Sequence, residues 1–149
     1  MKVFVDTDIV LDACLPERKG KALAEKILAL EDVEHTRIYI SSLTMADAAY
    51  FLRQHEGRAR ALEVLTQLFR RHHVLPVNDM CVYHALRSEC PDFEDAMQIT
   101  CADYGSCDCI VTANARHLRG YAPMPVFTPE EFLAGLRAAN EAAAASVKS

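Results

Sequence analysis

Residues 3–12 read VFVDTDIVLD. Apolar and aromatic residues at 3, 4 and 5 lead straight into aspartates at 6, 8 and 12. The run suits a buried strand, but carboxylates at its end have no place in a core. They suit a site, because in open parallel sheets ligands bind outside the carboxyl ends of the strands. Clustered carboxylates also repel one another unless a cation or partner compensates. Two chemistries begin with such a stretch. In one, Asp6 is a nucleophile; in the other, it is a metal ligand.

Working outward, strand-like runs recur at KVFVD (2–6), RIYIS (37–41), HVLPV (73–77), CIVT (109–112) and PVF (125–127). Helical periodicity fills the gaps. Residues 17–30 place apolar side chains at 23, 24, 27, 28 and 30, with Pro16 near the start. Residues 43–55 place them at 43, 46, 50 and 51, and residues 57–72 at 61, 62, 65, 68 and 69. Residues 92–105 (DFEDAMQITCADYG) are apolar nearly all round, which predicts a largely buried helix stopped by Gly105. Thr128, Pro129 and Glu131 form the pattern of a capping box opening a last helix. Alternating strands and helices of this length predict an α/β fold with a parallel sheet of about five strands. One domain is expected over 1–138, with a weakly specified, fraying tail at 139–149.

The chain has 149 residues, 51% of them hydrophobic and 25% charged, as in an ordinary globular domain. No apolar run approaches the ~20 residues of a membrane span. The opening Met-Lys-Val-Phe-Val-Asp is not the pattern of a secretory signal, so a cytoplasmic setting with reduced cysteines at 14, 81, 90, 101, 107 and 109 is expected. Cys107-Asp108-Cys109 is C-x-C inside a strand-like run, and no Cys/His pair elsewhere has zinc-site spacing. A net charge of −5 argues against a simple nucleic-acid binder. It leaves open an enzyme that collects carboxylates around a metal.

Four positions stand out. Asp6 closes the first strand. Asp47 shares a helix face with Leu43, Ala46, Tyr50 and Phe51, where an unpaired carboxylate costs several kcal/mol. Asp95 sits in the first turn of the helix that Asp92 caps, although the helix dipole alone favours acids there. Asn114 follows the CIVT strand, either as a cap for residues 115–118 or as a ligand. Asp8, Thr112 and Asp108 are candidate supporting groups. Oxygen donors brought together in this way would select Mg2+ or Mn2+ over zinc.

The sequence resembles a PIN domain, and within that family a VapC-type toxin ribonuclease. The likeness runs through VFVDTDIVLD, ISSLTMADAAYFL, DFEDAMQITCA, CDCIVTANARHL and MPVFTPEEFL, in that order. It implies a Rossmann-like three-layer α/β/α sandwich and RNA cleavage with Mg2+ or Mn2+. Asp6, Asp47, Asp95 and Asn114 fall on the family's four acidic positions, and Thr112 on its small hydroxyl position. Asp8 stands where the family usually has Asn, Asp47 where it usually has Glu, and Asn114 where it often has Asp. Asp47 thus reaches one methylene less far. The resemblance further implies an RNA substrate, a homodimer and a small inhibitory antitoxin protein. Arg53, Arg58, Arg60, Arg70 and Arg71 could guide RNA phosphates, or simply be solvated helix faces. Two other readings remain open. One is a PIN-fold module that binds RNA or protein without cleaving. The other is a haloacid-dehalogenase-type phosphatase, whose Asp-x-Asp start the Asp6–Asp8 pair fits.

Overall fold

The computed structural model describes residues 1–148. Five parallel strands, β1 (Lys2–Val5), β2 (Arg37–Ser41), β3 (His73–Leu75), β4 (Cys109–Val111) and β5 (Val126–Phe127), form one sheet in the order β3-β2-β1-β4-β5. Strand parity divides the core. Val3 and Val5 face one apolar layer with Ile38, Ile40, Cys109 and Val111, while Phe4 and Ile110 face the other. Helices α1 (Thr7–Cys14), α2 (Lys21–Leu28), α3 (Ser42–Arg71) and α7 (Pro129–Val147) cover the first face. Helices α4 (Asp79–Arg87), α5 (Phe93–Tyr104) and α6 (Ala115–Leu118) cover the second. This is the expected three-layer α/β/α sandwich.

The chain lays down β1, β2 and β3 outward in one direction, then returns to place β4 on the other side of β1. The carboxyl ends of β1 and β4 therefore flank the topological switch point, where such sheets open a crevice. Asp6 leaves β1 there, and Thr112 and Asn114 leave β4 there.

Several expectations need correction. The helix expected from 17 starts at Lys21, because Glu17 adopts a left-handed φ of 56° and turns the chain after Pro16. The two helices expected over 43–55 and 57–72 are present as the two arms of α3, divided where expected by a break at Gly57 (φ 82°, ψ 172°), a conformation essentially reserved for glycine. Within it, the buried face is Thr44, Ala48 and Leu52, not the stripe through Ala46, Tyr50 and Phe51. Helix α4 was not foreseen, since most of its large apolar residues are exposed and it buries only Cys81 and Ala85. Gly105 does cap α5, and a Cβ there would lie 2.4 Å from a Leu75 methyl, so the residue is small because β3 passes close by. The Thr128–Glu131 capping box is present with Pro129 in the first turn. Residues 139–147 continue α7 with exposed side chains. Among the described residues, no helix is long and apolar enough to cross a membrane, and all six cysteines are free.

Candidate active site

The crevice at the switch point is a cleft of about 560 Å3 lined by Asp6, Asp8, Asp47, Glu94, Asp95 and Asn114, with Arg18, Tyr50 and Phe51 at its edge. The four positions singled out in the sequence thus meet in one place, although they come from β1, α3, α5 and the end of β4.

Asp6 is the anchor. Its backbone N–H extends the β1–β4 ladder to the Val111 carbonyl, and the residue caps α1. It is 7% exposed, yet both carboxylate oxygens are held. Oδ1 accepts from the Thr7 backbone N–H at 2.8 Å and from the Gln98 amide at 3.0 Å. Oδ2 accepts from the Thr112 hydroxyl at 2.9 Å. Counting about two lone-pair directions per oxygen, Oδ1 is fully used and Oδ2 keeps one free.

Gln98 is the residue that sequence reasoning missed. It is 1% exposed, and its amide nitrogen also lies 3.0 Å from the hydroxyls of Thr7 and Thr44, while its carbonyl accepts from Ser41 at 2.5 Å. The Thr7 and Thr44 hydroxyls lie 2.8 Å apart. This buried polar web ties β1, α1, α3 and α5 into one rigid floor, and no buried side-chain polar atom is left unpaired among the described residues. The only sequence signal was a polar residue between Met97 and Ile99 in a helix that is apolar nearly all round.

Asp8 turns toward β4. Its Oδ1 accepts from the Ile9 N–H at 2.7 Å, and its Oδ2 accepts from the Ala113 N–H at 3.0 Å, with the Thr112 hydroxyl 3.4 Å away. It therefore pins the loop carrying Asn114 against α1. Burial, then the nearby Asp6 charge, raises its pKa to about 6. Thr112 also accepts the Asn114 N–H at 3.1 Å, and Asn114 makes no side-chain capping bond to α6, so the cap reading fails for its side chain.

Asp95 follows Asp92, which caps α5 as expected by accepting the Asp95 N–H at 3.0 Å. Loss of hydration and then the Asp6 charge raise the Asp95 pKa, while His117, 3.5 Å from its Oδ2, opposes the rise. Glu94, also missed, leans on Asp47. Loss of hydration at its carboxyl, then the charge of Asp47 and a hydrogen bond between the two acids, raises its pKa to about 7. A helix-start acid reads as a dipole partner, which hid this contact. Glu94 thus brings a second carboxylate, on a longer arm, beside Asp47 in the cleft.

Asp108 does not belong to the site. It accepts the Lys2 N–H at 2.7 Å, at the opposite end of β1 and β4 from Asp6 and Thr112. The expected arginines are also placed elsewhere or turned outward. Arg60 pairs with Glu56 and Glu63, and with Arg71 it lines a separate cavity between α1, α2 and α3. The cation at the acidic cleft is Arg18, held by Asp12 at 2.9 Å.

The sequence pattern of the PIN domain matches residues 2–116, and the chain belongs to that family. Membership sets aside the phosphatase reading. No curated protein matches the chain. Among solved structures it resembles VapBC2 from Rickettsia felis bound to a DNA fragment from its promoter, at TM-score 0.65 and 15% identity, covering 86% of this chain and 98% of that one. It also resembles VapC20 of Mycobacterium tuberculosis, a Sarcin-Ricin loop cleaving toxin, at TM-score 0.64 and 14% identity, covering 80% and 96%. A toxin–antitoxin complex from Klebsiella pneumoniae is similar at TM-score 0.63 and 19% identity, covering 85% and 97%. At these identities the likeness establishes the fold.

Proposed function

We propose that the protein is a divalent-metal-dependent endoribonuclease of the VapC toxin class, with Asp6, Asp47, Asp95 and Asn114 as the metal-holding set. The observation that carries this reading is the convergence of those four side chains, from four separate elements, at the carboxyl ends of β1 and β4. The donors are all oxygen, the set that suits Mg2+ or Mn2+. Asp8, Glu94 and Asp95 all have raised proton affinity, with a neighbouring carboxylate among the causes, and a divalent cation would neutralise that mutual repulsion.

When bound, such an ion would supply charge neutralisation and an activated water for phosphodiester hydrolysis. The chain's own residues do the positioning. Gln98 and Thr112 fix both oxygens of Asp6 and leave one lone pair of Oδ2 for the cleft. Asp8 holds the Thr112–Asn114 loop in register with α1. Glu94 brings a second carboxylate beside Asp47. Arg18 supplies positive charge for a phosphate at the edge of an otherwise acidic cleft, and Tyr50 and Phe51 offer exposed rings on which a splayed base could stack. An RNA substrate is supported by the description of VapC20, and a small antitoxin partner by the Klebsiella complex. A homodimer is part of the same reading.

The test is cleavage of structured RNAs, tRNA among them, by the purified protein with Mn2+. Wild type should cleave, and Asp6→Asn should fall to the background without enzyme. Identical background for both overturns the nuclease reading; retained RNA binding would then favour the non-cleaving module.

A further inference from the structure

Beside the oxygen-lined cleft lies a second, chemically different donor set. The loop between α4 and α5 brings Cys90, the first turn of α5 brings Asp95, and α6 brings His117. One ligand atom from each lies within 4.8 Å of the other two. His117 Nε2 is 3.5 Å from Asp95 Oδ2. Zinc bonds of about 2.0–2.3 Å in a tetrahedron put donors roughly 3.3–3.6 Å apart. The imidazole–carboxylate edge already has that length, and a small rotation of half-buried His117 on the short α6 closes the rest. Cys90 is 7% exposed, and burial pushes its thiol pKa up, a rise that the Asp92 backbone N–H opposes by donating to the sulfur. Sequence spacing hid this set because its members come from three elements and form no C-x-x-C or H-x-H pattern.

We infer that Cys90, Asp95 and His117 form a site for a thiophilic divalent ion of the zinc type, and that this site shares Asp95 with the oxygen-lined one. A thiolate, an imidazole and a carboxylate make a donor set suited to zinc and unsuited to Mg2+, which takes oxygen. On binding, the Cys90 thiol gives its proton to solvent, the neutral imidazole donates its lone pair, and a fourth position remains for water. A zinc ion on Asp95 Oδ2 beside His117 would lie next to any ion drawing on the same carboxylate, and repulsion between two such close dications disfavours double occupancy. Zinc therefore competes with the activating metal, and the consequence for cleavage rests on the nuclease reading, whereas the site itself does not.

Cobalt(II) titration of the reduced protein tests this directly. A near-ultraviolet thiolate-to-cobalt band should saturate at one equivalent and disappear on adding zinc. Cys90→Ser should abolish it, while Cys101→Ser, a buried thiol elsewhere, should leave it intact. His117→Ala keeps the thiol and should weaken cobalt binding at least tenfold, which also covers the case in which Cys90→Ser fails to fold. No band in wild type, or an equal band in folded Cys90→Ser, overturns the site. In the cleavage assay at subsaturating Mn2+, zinc at ten times its Kd should slow wild type about elevenfold by mass action. Zinc that binds by the cobalt criterion but leaves cleavage unchanged overturns the sharing of Asp95. Absent cleavage would count against the nuclease reading and leave the cobalt result to stand alone.

Discussion

Replacing Gln98 with leucine removes the hub of the site while keeping a buried side chain of similar volume. The amide nitrogen lies 3.0 Å from the Asp6 carboxylate, the Thr7 hydroxyl and the Thr44 hydroxyl, and its carbonyl accepts from Ser41. A hydrogen bond to a charged acceptor contributes about 1.5–3 kcal/mol and a neutral one about 1 kcal/mol. No partner is orphaned by the change, however. Asp6 Oδ1 keeps the Thr7 N–H, Thr7 and Thr44 keep each other, and Ser41 keeps Thr44. The expected loss therefore lies below the sum of these bonds, at about 2–4 kcal/mol of unfolding free energy. Urea denaturation reads it as a lower midpoint with an unchanged slope. Because Asp6 also loses the group that fixes its carboxylate, Mn2+ affinity should fall about 10–100-fold, measured by calorimetry on the folded variant. A Gln98→Leu protein within about 0.5 kcal/mol of wild type, with Mn2+ affinity within twofold, would refute the hub.

The proton affinities predict a direction in pH. Asp8 titrates near 6 in the folded chain against an ordinary 3.8, so the folded state binds more protons between those values. Stability of the metal-free protein should then fall as pH rises from about 4 to 6, with the penalty complete above 6, and Asp8→Asn should flatten that slope in thermal melts. Glu94, raised from 4.5 to about 7, extends the decline toward neutrality, and Glu94→Gln should remove that upper part. Gly57→Ala forces a side chain into a φ of 82°, and with open space around it the cost is conformational, about 1–3 kcal/mol by urea midpoint. Arg18→Ala should weaken binding of a short RNA and reduce the salt dependence of that binding by about one phosphate contact, checked by fluorescence anisotropy across salt concentrations.

The sheet and most helices were legible because β-branched runs and 3.6-residue periodicity survive in single elements. Asp6 and Thr112 were legible for the same reason, being the first polar residues after buried strands. What failed involved faces chosen by neighbours. In α3 the sheet-facing side holds Thr44 and Ala48, both small enough for close approach, and Thr44 joins the Gln98 web, so the larger apolar residues Tyr50 and Phe51 are left outside. Helix α4 shows the same inversion, with Met80, Tyr83 and Leu86 exposed above buried Cys81 and Ala85. Gln98 and Glu94 were hidden because their importance lies in contacts 92 residues away in one case and with another helix in the other. Asp108 was misplaced because proximity to a strand in sequence does not say which end of the sheet it occupies.

The most direct test of the metal-holding site is an anomalous difference map from crystals soaked in Mn2+. The account predicts a peak between the carboxylates of Asp6 and Asp95, within coordination distance of Asp6 Oδ2, and its disappearance in Asp6→Asn crystals. No peak in that cleft at saturating Mn2+, with the carboxylates ordered, would contradict it.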